Sequence, residues 1–343
     1  MTTPIGTLHL LKAEDLPSST GQISDEMTVS ACTALRIATS IPPTAPDHTF
    51  AETVERALAA LAPPSQRASY TEEERRRLPE DHYEEYDEFF RAIRVSGNSV
   101  EEFTRTLLEA CRAQMREAEA SGVALAADDW HHLKRAFHTS CEQVLRYGAD
   151  GAPVRRIPVA APAPAEVAAG DPLLRWRVGH QVFFAMMQSL IVLLRCLIDQ
   201  LRRAMRVSLG LVDAAADVMA GSAAAMRYAG DFAPRRYATT VRPAMLPPNL
   251  PPKFSGLQLR DHRVLLKALA EVKPLIAGAG DYAGPAYRRL LEQMRSAYAA
   301  HKLVCARFGG DREPSLRMSA GADSTALEVL DRLERTRLRS VSP

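Results

Sequence analysis

Between Tyr287 and Phe308 the large side chains fall in steps that alternate between four and three: Tyr287, Leu291, Met294, Tyr298, His301, Cys305, Phe308. A chain spaced in this way folds as a helix with one face turned to a core. The same period predicts helices near Thr53–Leu61, Asp81–Ile93, Val100–Ala120 and Asp128–Tyr147. It predicts further helices over Leu173–Val207, Val212–Tyr228, Leu257–Val272, Pro285–Phe308 and Ser324–Leu338. Ala, Leu, Arg and Glu are abundant and β-branched runs are few, which favours helix. Nothing in the pattern argues for a sheet, so the expected fold class is all-α, a multi-helix bundle.

The stripe has one peculiarity. His301 and Cys305, both capable of binding a metal, interrupt its apolar face one turn apart and project from the same side. An imidazole that ligates a heme iron from that position leaves the thiol over the porphyrin edge, near a vinyl group. The pair therefore suggests a heme with a histidine axial ligand and room for one thioether bond. The competing reading is an ordinary core, in which a buried histidine is hydrogen-bonded and a cysteine behaves as a small hydrophobe. The covalent heme signature C-x-x-C-H is absent.

Length and composition permit a sizeable core. The chain has 343 residues, 46% hydrophobic and 24% charged, which is ordinary for a globular protein. A formal charge of +2 gives no case for nucleic acid or an anionic membrane as partner. Val182–Ile198 is the most apolar run, but Gln188 and Arg195 interrupt it and it is short for a membrane span, so a buried helix is expected. Met1–Leu16 lacks the basic start, apolar centre and small-residue cleavage site of a secretory leader. The five cysteines (Cys32, Cys111, Cys141, Cys196 and Cys305) are scattered and odd in number. They read as free thiols of a reducing cytoplasm.

Four regions are expected. Residues 1–50, rich in Pro, Ser and Thr, read as a partly irregular arm, and 51–147 as an N-terminal helical region. Residues 148–171 form an Ala/Pro-rich connector, and 172–340 the helical region that carries the chemistry. Asp171-Pro172 is a good cap and first-turn pair, and Gly309-Gly310 a good helix stop. Arg242–Pro252 holds five prolines, which predicts a stiff crossing without regular structure.

Other side chains could join His301. His262 shares a helical face with Leu259, Leu266 and Leu269, so it also points inward, from a different helix. A heme with two protein ligands takes them from opposite faces, hence from two elements; the alternative is a hydrogen-bonded core histidine. His180 lies on the most apolar helix and could exchange a proton with a bound oxidant, or simply be a core or interface residue. His131, His132 and His138 fall on a polar helix and are expected at the surface. Arg235, Arg236, Arg242 and Arg260 cluster around the proline crossing, where guanidinium forks suit heme propionates or an amino-acid carboxylate. Arg260 is the candidate for a propionate and Arg242, then Arg236, for the substrate. The loop 319–325 before the last helix could close over a pocket. No phosphate loop, G-x-S-x-G elbow or H-E-x-x-H run is present.

Several landmarks together resemble one family: Arg175-Trp176-Arg177-Val178-Gly179-His180-Gln181-Val182-Phe183, Tyr228-Ala229-Gly230-Asp231, Val241-Arg242-Pro243 and Leu246-Pro247-Pro248. Pro252-Lys253-Phe254-Ser255-Gly256-Leu257, Arg260-Asp261-His262 and the H-x-x-x-C run from His301 to Cys305 follow in order. They resemble the heme-dependent tyrosine and 3-methyl-L-tyrosine hydroxylases of bacterial antibiotic pathways, within the histidine-ligated heme superfamily of tryptophan and indoleamine 2,3-dioxygenases. The resemblance covers about Leu173 to Leu338; the N-terminal half resembles nothing identified. It implies His301 as proximal iron ligand, Cys305 as the single thioether attachment and His262 as a distal ligand in the resting enzyme. Ser255, within its landmark, joins Arg242 and Arg236 as a candidate for substrate binding. The implied reaction is peroxide-driven hydroxylation of L-tyrosine or 3-methyl-L-tyrosine to the ortho-catechol, with His262 and His180 as proton-handling residues. The implied partners are the amino acid and hydrogen peroxide, with a homo-oligomer open. Gln181 and Phe184, beside His180, depart from the family pattern and leave the substrate pocket open.

Two other functions fit parts of the pattern. Dioxygen insertion into an indole would call for a non-covalent heme with an open distal position, against which Cys305 and the inward His262 argue. A non-catalytic heme protein would keep histidine ligation on both faces as its end state.

Overall fold

The apolar run Val182–Ile198 lies in the central helix of the molecule. In this computed structural model, residues 6–76, 83–149, 170–203, 209–250, 259–278, 284–310 and 324–341 are described. Helix α8 (Pro172–Arg202) opens at Asp171, whose carboxylate accepts from the Leu173 amide at 2.9 Å, with Pro172 in the first turn. Within Val182–Ile198 only Phe183 and Arg195 are less than buried. The polar interruptions are anchor points. Gln188 Nε2 donates to the Leu11 carbonyl at 2.8 Å and to Asp261 at 2.9 Å, and Arg195 donates to the Leu16 carbonyl. By length and hydropathy α8 and α9 (Leu209–Ala229) could each cross a membrane, but 89% and 78% of their most apolar stretches are buried inside the protein. Protein already covers the faces a lipid would meet.

Helix α9 packs against α7 (Ala127–Gly148), α8 and α13 (Gly284–Arg307). Its alanines let neighbouring backbones come close. Gly179 on α8 is part of this fit, since a Cβ there would stand 2.5 Å from the Ala229 Cα. The close crossing fixes the turn of α8 that carries His180. Helix α12 (Arg260–Gly278) packs on α8, and α14 (Ala326–Val341) on α12 and α13. Buried salt bridges lock the landmark residues of α8 and α9. Arg175 binds Glu117 on α6 (Ser99–Ser121) at 3.0 Å and Asp231 at 3.0 Å, and the Tyr228 hydroxyl donates to the same Glu117.

The N-terminal segment is not an irregular arm. Leu8–Leu11 forms strand β1, paired in parallel with β2 (Ala92–Val95) in the register Leu8↔Ala92 to Leu11↔Val95. Leu8, Leu10 and Leu11 are fully buried. Helices α1 (Thr20–Asp25), α2 (Val29–Ala38) and α3 (Asp47–Ala59) follow, the first two capped by Ser19 and Thr28. These pieces are too short to announce themselves by period, and carboxylates of α6 pin them. Glu101 accepts from Ser30 and the Ala62 amide, Glu102 from Ser65, and Glu109 from His9. One continuous core runs from Leu8 to Ala300.

Other expectations shift locally. The helix predicted over Asp81–Ile93 is α5 (Tyr83–Phe89), which stops where Arg91 takes a left-handed φ of 55° and the chain enters β2. A short helix, α4 (Glu72–Arg76), precedes it. After α9 come a helical turn α10 (Pro234–Arg236), a π-helical turn over Tyr237–Val241 and a turn α11 (Arg242–Ala244). The proline crossing thus begins with helical turns, Pro243 occupying a first-turn position where its missing N–H costs nothing. His131 and His132 are half-buried and His138 is buried, because α7 packs on α9 rather than facing solvent. The connector beyond residue 149, Ser255 and the loop before Ser324 lie outside the described residues.

Candidate active site

Helices α8, α9, α12, α13 and α14 and the π-helical turn, with Tyr86 and Phe90, line an open pocket of about 310 Å³, within the range of small-molecule sites. Its wall is mostly apolar. The polar exceptions include His180, His262, His301, Cys305, Arg242 and Arg337. The stripe on α13 explains how two of these arrive. Tyr287, Leu291 and Met294 are buried at the core end, and Met294, Tyr298, His301, Cys305 and Phe308 continue as cavity wall. The helix ends just past Cys305. Gly309 has φ 84°, and the Gly310 amide donates to the Cys305 carbonyl at 2.8 Å, a Schellman arrangement that only glycine adopts without strain.

His262 enters from the first turn of α12, with Leu265, Leu266 and Leu269 on the same cavity face. Its neighbour Asp261 is fully buried and pairs with Arg94 of β2 at 2.8 Å. The Arg94 guanidinium also holds Asp87 at 2.8 Å and the Leu11 carbonyl at 2.9 Å. The short sheet therefore fixes where α12 begins.

His180 is held by its other nitrogen. Nδ1 lies 2.7 Å from the Trp176 carbonyl, which can only accept, so the neutral ring carries its proton on Nδ1 and leaves Nε2 as an acceptor. The ring stacks on Phe90 at 4.4 Å and 14° and lies 4.5 Å from Trp176. Trp176 meets Tyr237 of the π-helical turn, and Tyr237 stacks on Phe308 at 4.3 Å and 7°. This row of rings lines one side of the chamber.

The three imidazoles are half-buried by area, and they line the cavity. Burial is the main reason each resists protonation, lowering His180 from 6.5 to about 4, His262 to about 3 and His301 to about 4. The Arg337 charge adds to this at His262 and His301. Burial likewise pushes the Cys305 thiol up to about 11. Neutral imidazole is the ligating form of histidine. No hydrogen bond joins the His301 ring to another described residue, and the ring faces the cavity.

Not every candidate reaches the chamber. Arg260 turns away, binding Glu14 at 2.8 Å and lying over the Tyr70 ring. Arg236 donates to the Gly170 carbonyl at 2.8 Å and does not line the cavity. Arg242 does line it. Arg337 on α14 was not expected. The signal for it was present, since Ala326, Val329, Leu330, Leu333 and Arg337 follow helical spacing and all face the cavity. Phe90 and Tyr237 gave no such signal, because the folding of distant segments brings them in.

An apolar chamber with a few polar groups on a mostly helical frame defines the class, a helical enzyme acting on a small molecule. The sequence profile of the SfmD 3-methyl-L-tyrosine peroxygenase family matches residues 9–297, and the chain belongs to that family. The match reaches through the N-terminal half, which the sequence landmarks had left unplaced. It ends four residues short of His301, so any role for His301 and Cys305 has to be argued from their own geometry. The 3-methyl-L-tyrosine peroxygenase of Streptomyces lavendulae is 30% identical over 265 residues, 74% of this chain and 69% of that protein. A crystal structure of SfmD, reduced by soaking with sodium hydrosulfite, has the same fold. Its TM-score is 0.68 at 24% identity, covering 87% of this chain and 97% of that one.

Proposed function

We propose that this chain is a heme-dependent, hydrogen-peroxide-using hydroxylase that converts a tyrosine to its ortho-catechol. 3-Methyl-L-tyrosine is the first substrate to test, because the matched family and the Streptomyces relative are named for it. The observation that carries the reading is the meeting of His262 and His301, from separate helices, in one apolar cavity with Cys305 a turn from His301.

The donor set fits a heme. Among the described residues no three His, Cys, Asp or Glu side chains come close enough together to hold a bare metal ion. A heme, which brings most of its iron's donors with it, would need few from the protein, and the two neutral imidazoles could provide them. His301 would hold the iron, His262 would be the exchangeable ligand and Cys305 would tether the ring edge. A reducible centre of this kind also accords with the hydrosulfite-reduced relative. Bound there, the heme supplies the activation of peroxide and the oxidising power.

The protein's own residues do the rest. One peroxide oxygen ends in the catechol hydroxyl and the other leaves as water, so a proton must move between them. His262, on the cavity wall, would carry it, taking a proton on a ring nitrogen and giving it up again. His180 presents a fixed acceptor, Nε2, for the substrate phenol. Arg242 would take the substrate carboxylate. The row from Phe90 to Phe308 offers flat faces for an aromatic ring and keeps water out.

A visible spectrum of the pure protein, repeated after acid–acetone extraction, tests the cofactor. His301→Ala should abolish or scramble heme incorporation. A colourless wild-type protein purified from heme-supplemented cells would overturn the reading.

A further inference from the structure

Arg337 belongs to α14, beyond the segment that matches the family. Its Nη1 donates to the Tyr298 hydroxyl at 2.8 Å and lies 3.3 Å from His262 Nε2. A guanidinium has no acceptor, so the His262 nitrogen must be the acceptor and its ring must be neutral with the proton on Nδ1. The imidazole therefore points to Arg337 the one lone pair with which Nε2 could bind a metal. A single lone pair serves one partner at a time.

We propose that Arg337 is a latch for His262, holding the imidazole in its free position and so setting how often the neighbouring coordination position is open. This rests on the axial role given to His262 above. Arg337 is a positioning residue acting through His262. Tyr298, one turn from His301 on α13, orients the guanidinium. Two acidic residues on α14 fix the helix that delivers it, Asp331 at 2.5 Å from Lys302 and Glu334 beside the same ammonium. Because Lys302 adjoins His301, one short stretch of α13 holds both the proximal candidate and the helix that carries the latch. A hydrogen bond from a charged donor shifts a two-position equilibrium by about tenfold or more. Without it His262 should spend more time on the iron.

The test uses the ferric holoenzyme as wild type, Arg337→Ala, Arg337→Lys, Tyr298→Phe, His262→Ala and the double variant Arg337→Ala/His262→Ala. Two readouts are followed, the low-spin share of the visible spectrum and the rate at which cyanide binds. Arg337→Ala should raise the low-spin share and slow cyanide binding by about tenfold. Arg337→Lys should restore part of the rate, and Tyr298→Phe should give a smaller change of the same sign. In the His262→Ala background the spectrum should be high-spin and Arg337→Ala should have no further effect. A high-spin His262→Ala protein together with a silent Arg337→Ala would overturn the latch alone. A cyanide effect of Arg337→Ala that persists without His262 would overturn it too. A His262→Ala protein with the wild-type spectrum would overturn the axial assignment, and the latch with it.

Discussion

Arg94 and Asp261 meet at 2.8 Å, although they lie on a short strand and on a helix far apart in the chain. Asp261 Oδ2 is paired by charge without a well-aligned hydrogen bond, while Oδ1 accepts from Gln188 at 2.9 Å. Both members of the pair are buried. His262 is the next residue, so the pair ties the N-terminal sheet to the His262 imidazole in the cavity wall.

Removing one partner of a buried ion pair leaves an uncompensated charge. Arg94→Ala strands both Asp87 and Asp261 and should cost about 3–5 kcal/mol, read from urea denaturation. A cost below about 1 kcal/mol, the range of a surface pair, would show that the network does not hold α12.

Cys305 lines the cavity one turn beyond His301, with its thiol kept protonated by burial. In wild type the heme should stay with the denatured polypeptide, and the intact mass should exceed that of the chain by one heme. Cys305→Ala should keep the colour but release it to acid–acetone. Free extraction from wild type would remove the thioether and leave the role of His301 standing.

Of the four arginines around the crossing, Arg242 reaches the cavity while Arg236 and Arg260 are bonded elsewhere. Arg242→Ala should raise the KM for tyrosine far more than for tyramine, which lacks the carboxylate. Arg236→Ala should change neither. Equal effects of Arg242→Ala on both substrates would point to a contact with the cofactor instead.

The depressed imidazoles give the cofactor-free protein a definite acid response. His180 titrates at about 4 in the fold against 6.5 when unfolded, so between those values the unfolded chain binds more protons. Its neutral form is fully compatible with folding above 6.5, and stability is lost as pH falls toward about 4; the share from His180 is on the order of 2–3 kcal/mol. His262 and His301 act in the same direction. His180→Gln should therefore lose less urea resistance than wild type between about pH 7 and about pH 4.5. Equal losses would mean that His180 is solvated.

The sequence conveyed the long elements and the faces of the site. The stripe from Tyr287 to Phe308 placed His301 and Cys305 on one wall, and that of α12 brought His262 to the same chamber, because helical period fixes direction without reference to the rest of the fold. The apolar run in α8 was buried as its composition required. The N-terminal strands were missed because four-residue runs carry no period, and their burial depends on carboxylates of α6. Arg260 and Arg236 misled for a related reason. Nearness in sequence to a proline crossing does not fix where a long side chain points, and Glu14 and Gly170, which capture them, are remote in sequence. Arg337 was overlooked although its helix has a clear stripe, because nothing in that stripe says what it covers.

The central claim is that peroxide, through a site ringed by His180, His262 and His301, hydroxylates a tyrosine ring beside its phenol. The direct measurement supplies isotopically labelled hydrogen peroxide to the purified ferric protein with 3-methyl-L-tyrosine, and in parallel with L-tyrosine, and follows the product by mass. The account predicts a catechol carrying one labelled oxygen from peroxide without added reductant, with the methylated substrate turning over faster. Label entering from dioxygen instead, or ring opening of tryptophan under the same conditions, would contradict it.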